Sequence, residues 1–311
     1  MSAQPALQAP FPYYGGKRRA SGLIWAALGD PNIYIEPFCG SAAVLLARPH
    51  KPKREVINDA DGYVCNFWRA LKAEPDQIAQ LVDWPRNEID LQARHRWLCE
   101  GKRKAEFLEC MRADPEYYDV KIAAWWCWGI SMWLGAGWCD GEWWDMHDER
   151  TRGACLHRSQ QPHFSCEGVH AKRAQPLKAY MTAISNRLRH LLVLCGDWKR
   201  SVCTAILSGS DDIGIFLDPP YDYSADRTKS VYNKEMSCTD EVAGWCKAHQ
   251  RDAGLRIVLA GYSGEYDLPG WREVEWKIRG GGHTRKDKKL ANKGRERLWL
   301  SPNCEHAGLL W

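Results

Sequence analysis

Four short apolar runs, set apart by helical patterns, constrain what this chain can fold into more than any other feature. They are Asn32 to Phe38 (NIYIEPF), Arg54 to Asp59 (REVIND), Asp212 to Asp218 (DIGIFLD) and Leu255 to Tyr262 (LRIVLAGY). Continuous apolar runs of this length suit strands of a parallel sheet covered on both faces. Helical patterns lie between them, as in Ala42 to Ala47 and Gly62 to Ala73. The alternation predicts an α/β fold with helices on both faces of the sheet and sites at the carboxyl ends of the strands. Glu36, Asp59 and Asp218 each close a strand-like run, where that rule places functional groups.

Between Asp59 and Asp218 the chain is too long for one strand-helix unit. Residues 74–194 are charged, rich in Trp and helical in pattern, with few β-branched runs. They predict an inserted, mainly helical domain, with residues 1–73 and 195–311 forming the sheet domain around it. Trp198 to Cys203 is then expected to return to the sheet. A length of 311 residues is enough for one large domain or two moderate ones. The net charge of +4 permits a nucleic-acid partner without demanding one.

Thirteen cysteines are present. No charged start leads into an apolar stretch and a small-residue cleavage site, so a cytoplasmic chain with reduced, mostly buried cysteines is expected. Ile122 to Trp138 is apolar but short of a span and built from Trp, Gly and Ala, which reads as a buried helix.

Asp218-Pro219-Pro220-Tyr221 ends the third run. Its parts suit holding an exocyclic amino group while a methyl group is moved onto it. The carboxylate accepts from the NH2, the first proline ends the strand and leaves its carbonyl free, and the ring can stack on a base. Upstream, Phe11 to Lys17 offers two glycines that allow close backbone approach, the Lys17 charge and the Tyr13 ring. Glu36-Pro-Phe38-Cys-Gly40-Ser-Ala-Ala-Val44 has an acid, a glycine turn and then a helix start. The acid suits an amino or hydroxyl group rather than a pyrophosphate, and the absence of GxGxxG argues against NAD or FAD. Asp59 lies where an acid commonly takes ribose hydroxyls.

Tyr13-Tyr-Gly-Gly-Lys17, Glu36-Pro-Phe-Cys-Gly40, Asn58-Asp59 and Asp218-Pro-Pro-Tyr221, in that order, resemble the Dam-type (class alpha) DNA adenine-N6 methyltransferases. Arg295 to Pro302 is similar to the closing strand of that fold. The resemblance implies a Rossmann-like methyltransferase sheet, with residues 74–194 as the target-recognition domain. It implies S-adenosylmethionine as cofactor, contacted by Tyr13, Lys17, Asp59 and Asp218, with Glu36, Phe38 and Gly40 from the loop. Double-stranded DNA is the implied partner, in a phage or restriction-modification setting. Tyr13 stands where Trp is common, Tyr14 replaces a smaller residue, and Cys39-Gly40-Ser41 is less rich in glycine than the family's loop.

In such an enzyme the amino nitrogen of adenine is a poor nucleophile, because its lone pair is delocalised into the ring. Hydrogen bonds to the Asp218 carboxylate and the Pro219 carbonyl, with Pro220 shaping the turn and Tyr221 stacking on the flipped base, favour direct attack on the methyl group. No metal and no covalent cysteine are needed. Cytosine N4, adenine in RNA, and a non-catalytic nucleic-acid-binding module on the same fold are the alternatives. Asp218, where cytosine-N4 enzymes more often carry Ser, speaks against the first of them.

Three further segments are set against plainer readings. Seven tryptophans between Trp125 and Trp144 read as an aromatic helical core rather than wedges for DNA. Cys139, His147, Cys155, His157, His163, Cys166 and His170 lack the tight paired spacing of zinc ligands, and no metal is assigned. Lys277 to Arg297 carries nine Lys or Arg against two acids. In an enzyme acting on a base, Arg279, Arg285, Lys286, Lys288, Lys289 and Lys293 are expected to contact phosphates rather than only water.

Overall fold

The computed structural model describes residues 7–13, 16–133, 138–139, 176–220, 238–276 and 296–305. Its strands are β1 (Ile33–Glu36), β2 (Arg54–Asp59), β3 (Leu191–Cys195), β4 (Ile213–Leu217), β5 (Leu255–Tyr262), β6 (Arg272–Glu275) and β7 (Glu296–Leu300). The first helices are α1 (Ser21–Leu28), α2 (Ala43–Leu46), α3 (Gly62–Ala73), α4 (Pro75–Val82) and α5 (Glu88–Cys99). There follow α6 (Gly101–Ala113), α7 (Val120–Ile130), α8 (Leu177–Arg187), α9 (Thr204–Leu207) and α10 (Cys238–His249).

The strands form one sheet in the order β3-β2-β1-β4-β5-β7-β6. β2, β1, β4 and β5 are parallel neighbours, and β7 runs antiparallel between β5 and β6. This is the expected Rossmann-like α/β fold. All four apolar runs became strands, and every residue of β1 and β4 is buried. One expectation fails. Trp198–Val202 is a 3-10 helix, closed by the Ser201 hydroxyl donating to the Trp198 carbonyl. The strand is Leu191–Cys195 instead, with its buried positions alternating as in a half-covered edge. Gly196, at φ 126°, turns the chain out of it.

By contact density the chain divides into two units. One comprises Lys17–Ile57 and Trp198–Trp311. Its core lies around β1, β4 and β5, with α1 against β4 and β5. Arg48 is fully buried here, donating to Glu55 at 3.0 Å, to Asp30 at 2.8 Å and to the Pro31 carbonyl at 2.8 Å.

The other unit comprises Met1–Gly16 and Asn58–Asp197. Its centre is α3, which buries Gly62 through Leu71. The Asp61 carboxylate caps that helix by accepting from Tyr63 N–H, as N-caps do. Phe11, Phe67, Trp68 and Trp126 pack ring to ring, with Phe11 4.9 Å from Trp126 and 5.1 Å from Phe67. Trp126, Trp128 and Trp138 are buried while Trp125 and Trp133 are half-buried, so three of the five described tryptophans of the segment are core. Arg69 reaches from α3 to the carbonyls of Val193, Met111, Asp114 and Tyr117. Among the described residues no helix is long and apolar enough to cross a membrane, and the cysteines are free thiols.

Candidate active site

Strand order reverses between β1 and β4, since the chain winds outward through β2 on one side and β5 on the other. Crevices for ligands in open α/β sheets form outside the strand carboxyl ends at such a reversal. The register Ile33↔Ile213 and Ile35↔Ile215 makes Glu36 and Asp218 leave the same edge on neighbouring strands. Gly214 permits this packing: a Cβ there would lie 2.8 Å from the Pro31 ring.

Asp218 meets Lys17, whose Nζ lies 2.9 Å from each carboxylate oxygen. Lys17 is only 3 % exposed while the Asp218 side chain is 19 % exposed. The ammonium is therefore sheltered and the carboxylate keeps a wetted edge. Pro219 is buried, and the Pro220 carbonyl accepts from the Thr239 hydroxyl at 3.2 Å. That bond fixes the turn after β4. Tyr221 lies outside the described residues.

Two groups that sequence reasoning missed belong to the same neighbourhood. The Tyr266 hydroxyl is buried without a hydrogen-bond partner among the described residues. Burial raises its pKa, and the charges of Glu265 and Asp218 act in the same direction. Burial also raises Glu296, with Lys17 opposing and Asp218 adding to the shift. No local motif marks Tyr266. Glu296 sits inside the stretch recognised as the closing strand, where its acid was not singled out.

Glu36 is 2 % exposed, and its Oε2 accepts from the Tyr34 hydroxyl at 3.0 Å and from Leu45 N–H at 3.2 Å. These bonds tie the end of β1 to α2. The turn between them uses left-handed backbone at Gly40 (φ 43°) and at Ala42 (φ 47°), the latter uncommon for a residue with a Cβ. Burial pushes Glu36 up to about 8, against the Tyr34 and Leu45 hydrogen bonds and helped by the charges of Asp218 and Glu55. One oxygen of this acid is thus engaged in shaping the loop. Phe38 is half-buried, its ring centroid 6.1 Å from that of Trp198.

Tyr13 and Asp59 belong to the other unit. Tyr13 is half-buried, edge-on to Phe11 at 6.2 Å, and its carbonyl accepts from Gly16 N–H at 3.4 Å. Asp59 closes β2 and accepts from Asp61 N–H at 2.9 Å, so it orders the entry to α3. Arg279, Arg285, Lys286, Lys288, Lys289 and Lys293 lie outside the described residues, as do His147, Cys155, His157, His163, Cys166 and His170.

Residues 13–97 match the family model described as D12 class N6 adenine-specific DNA methyltransferase. The match spans Tyr13, Lys17, Glu36, Phe38, Gly40 and Asp59 and ends before Asp218. No curated protein matches the chain. The sheet agrees with a methyltransferase fold, and residues 13–97, which hold the Tyr13–Lys17, Glu36–Gly40 and Asn58–Asp59 motifs of the Dam-type resemblance, are similar to that family.

Proposed function

We propose that the chain transfers a methyl group from S-adenosylmethionine to N6 of an adenine flipped out of double-stranded DNA, in the cytoplasm. The observation that carries this reading is the Asp218 carboxylate at the β1/β4 reversal with Lys17 as its counter-charge. The nearby charges suit a donor that bears an α-carboxylate and two positive centres. Lys17 offers a cation for the carboxylate, and Asp218 offers a hydrogen-bond acceptor beside it. When bound, S-adenosylmethionine supplies an electrophilic methyl on a sulfonium.

In this reading Asp218 accepts a hydrogen bond from the adenine amino group and the Pro219 carbonyl accepts the second. Together they localise the nitrogen lone pair. Pro220 fixes the turn, and Tyr221 stacks on the base. Lys17 holds the carboxylate in place, so that little reorganisation accompanies reaction. Glu36, Phe38 and Gly40 form the loop toward the donor, and Tyr13 and Asp59 are included on their motif positions alone. Residues 1–73 and 195–311 are the catalytic part and 74–194 the target-recognition part. Arg279, Arg285, Lys286, Lys288, Lys289 and Lys293 contact phosphates, which makes binding fall steeply with salt.

Incubation with methyl-labelled S-adenosylmethionine and duplex DNA, followed by identification of the labelled nucleoside, tests this. N6-methyladenine is expected. N4-methylcytosine, label in RNA only, or no label in nucleic acid would overturn it.

A further inference from the structure

His95 and Cys99 stand one helical turn apart on α5, at the i, i+4 spacing that puts both side chains on one face. The chain returns at Cys139 to the same spot. His95, Cys99 and Cys139 are 5 %, 4 % and 3 % exposed, and their ligand-type atoms all lie within 4.8 Å of one another. His95 Nε2 is 3.5 Å from Cys99 Sγ. Zinc bonds of about 2.3 Å to sulfur and about 2.0–2.1 Å to nitrogen, at tetrahedral angles, put such a pair about 3.6 Å apart. As a mere hydrogen bond, a thiol facing an imidazole is weak, yet this pair sits at the edge length of a zinc tetrahedron.

Other features hold the arrangement. Cys139 has φ 62°, left-handed backbone that a residue with a Cβ seldom adopts. Its carbonyl is held by Lys104 Nζ at 2.8 Å. The imidazole of His95 lies between Trp133, stacked at 5.5 Å, and Trp138 at 4.9 Å, which fixes the ring. Two thiolates and a neutral imidazole are the borderline-soft set that zinc takes. One Zn²⁺ also cancels the charge of two buried thiolates, which burial otherwise penalises heavily.

We propose that His95 Nε2, Cys99 Sγ and Cys139 Sγ bind a structural zinc ion that fastens the chain at Cys139 to helix α5. Binding releases the thiol protons to solvent and involves no change of oxidation state. Three protein donors fill three positions of a tetrahedron.

The test uses untagged, full-length protein reconstituted with zinc and desalted. Elemental analysis is expected to find about one zinc per chain. Cys99→Ser and Cys139→Ser should each lose most of it, and Cys110→Ser, at an exposed cysteine on α6, should retain it. Cobalt substitution should give a thiolate-to-metal charge-transfer band that both loss variants lack. Cys99→His guards against simple misfolding, because it keeps a ligand and should hold cobalt with a weaker band. A wild-type protein that takes up no zinc would overturn the proposal. So would zinc retained undiminished by Cys99→Ser and Cys139→Ser, or Cys99→His losing metal while circular dichroism shows native helix content.

Discussion

The two units answer their buried cations in different ways. In the α/β unit a cation meets an acid: Lys17 faces Asp218, and Arg48 faces Glu55 and Asp30. In the helical unit Arg69 is satisfied by four backbone carbonyls. Arg94 lies against the rings of Trp128, Trp125 and Trp84 at 4.1, 5.1 and 5.2 Å. Carbonyls and rings do not titrate, whereas carboxylates do. The cation sites of the α/β unit therefore depend on the protonation of their acids, whereas the carbonyls around Arg69 and the rings around Arg94 hold no proton to lose.

The largest effect expected is at Asp218. Asp218→Ala should lower methyl transfer by about 10³-fold, in line with loss of a preorganised charged partner, with duplex affinity in a filter-binding assay nearly unchanged. Lost DNA binding with normal turnover of bound substrate would contradict the role given to this carboxylate. Next comes Arg48→Met, which strands Glu55 in the core and should cost about 3–5 kcal/mol of unfolding free energy. Adding Glu55→Leu should return much of that loss. Arg69→Met should cost about 3 kcal/mol through unmet carbonyls. Urea titrations of the three variants separate ionic from backbone satisfaction. If a second-site acid substitution rescued Arg69→Met, the contrast between the units would fail.

A smaller effect concerns pH. Glu36 is raised from an ordinary 4.5 to about 8 in the folded protein. Between those values the unfolded chain has released this proton and the folded chain keeps it. The Glu36 contribution to stability therefore falls as pH rises through that window and levels off above about 8. Glu36→Gln keeps an oxygen to accept from Tyr34 and Leu45, and should flatten the slope in denaturation curves taken at pH 5, 6.5 and 8. An unchanged slope would place the titration elsewhere. The smallest expected change is Trp84→Leu. Trp84 is 49 % exposed, and loss of its contact with Arg94, together with its Nε1 hydrogen bond to the Asp90 carboxylate, should cost about 0.5–1 kcal/mol.

The sheet was legible because a buried parallel strand must be apolar along its whole length, and β2 and β5 fall on the stated runs residue for residue. β3 was missed because Leu191-Leu-Val-Leu-Cys195 abuts a helical pattern, and an edge strand need bury only alternate positions. Asp218 was visible through its prolines, and Lys17 through its glycines. Their direct ion pair was not, since about two hundred residues separate them and no local pattern encodes the meeting. Tyr266 and Glu296 were invisible for the same reason. The His95/Cys99 pair is hidden in the sequence because its i, i+4 spacing reads as ordinary helix, and the denser Cys/His pattern begins only at Cys139.

The Lys17–Asp218 pair also acts as a filter on what can approach that carboxylate. An alkylammonium, such as a polyamine carried in on DNA, would arrive as a like charge beside Lys17. Like charges 4 Å apart repel by about 4 kcal/mol at a protein surface. A neutral aromatic amine brings N–H donors without that charge and meets no such barrier. A carboxylate already neutralised from within is an acceptor for uncharged donors, and the commonest cations that accompany nucleic acids are poor competitors for it.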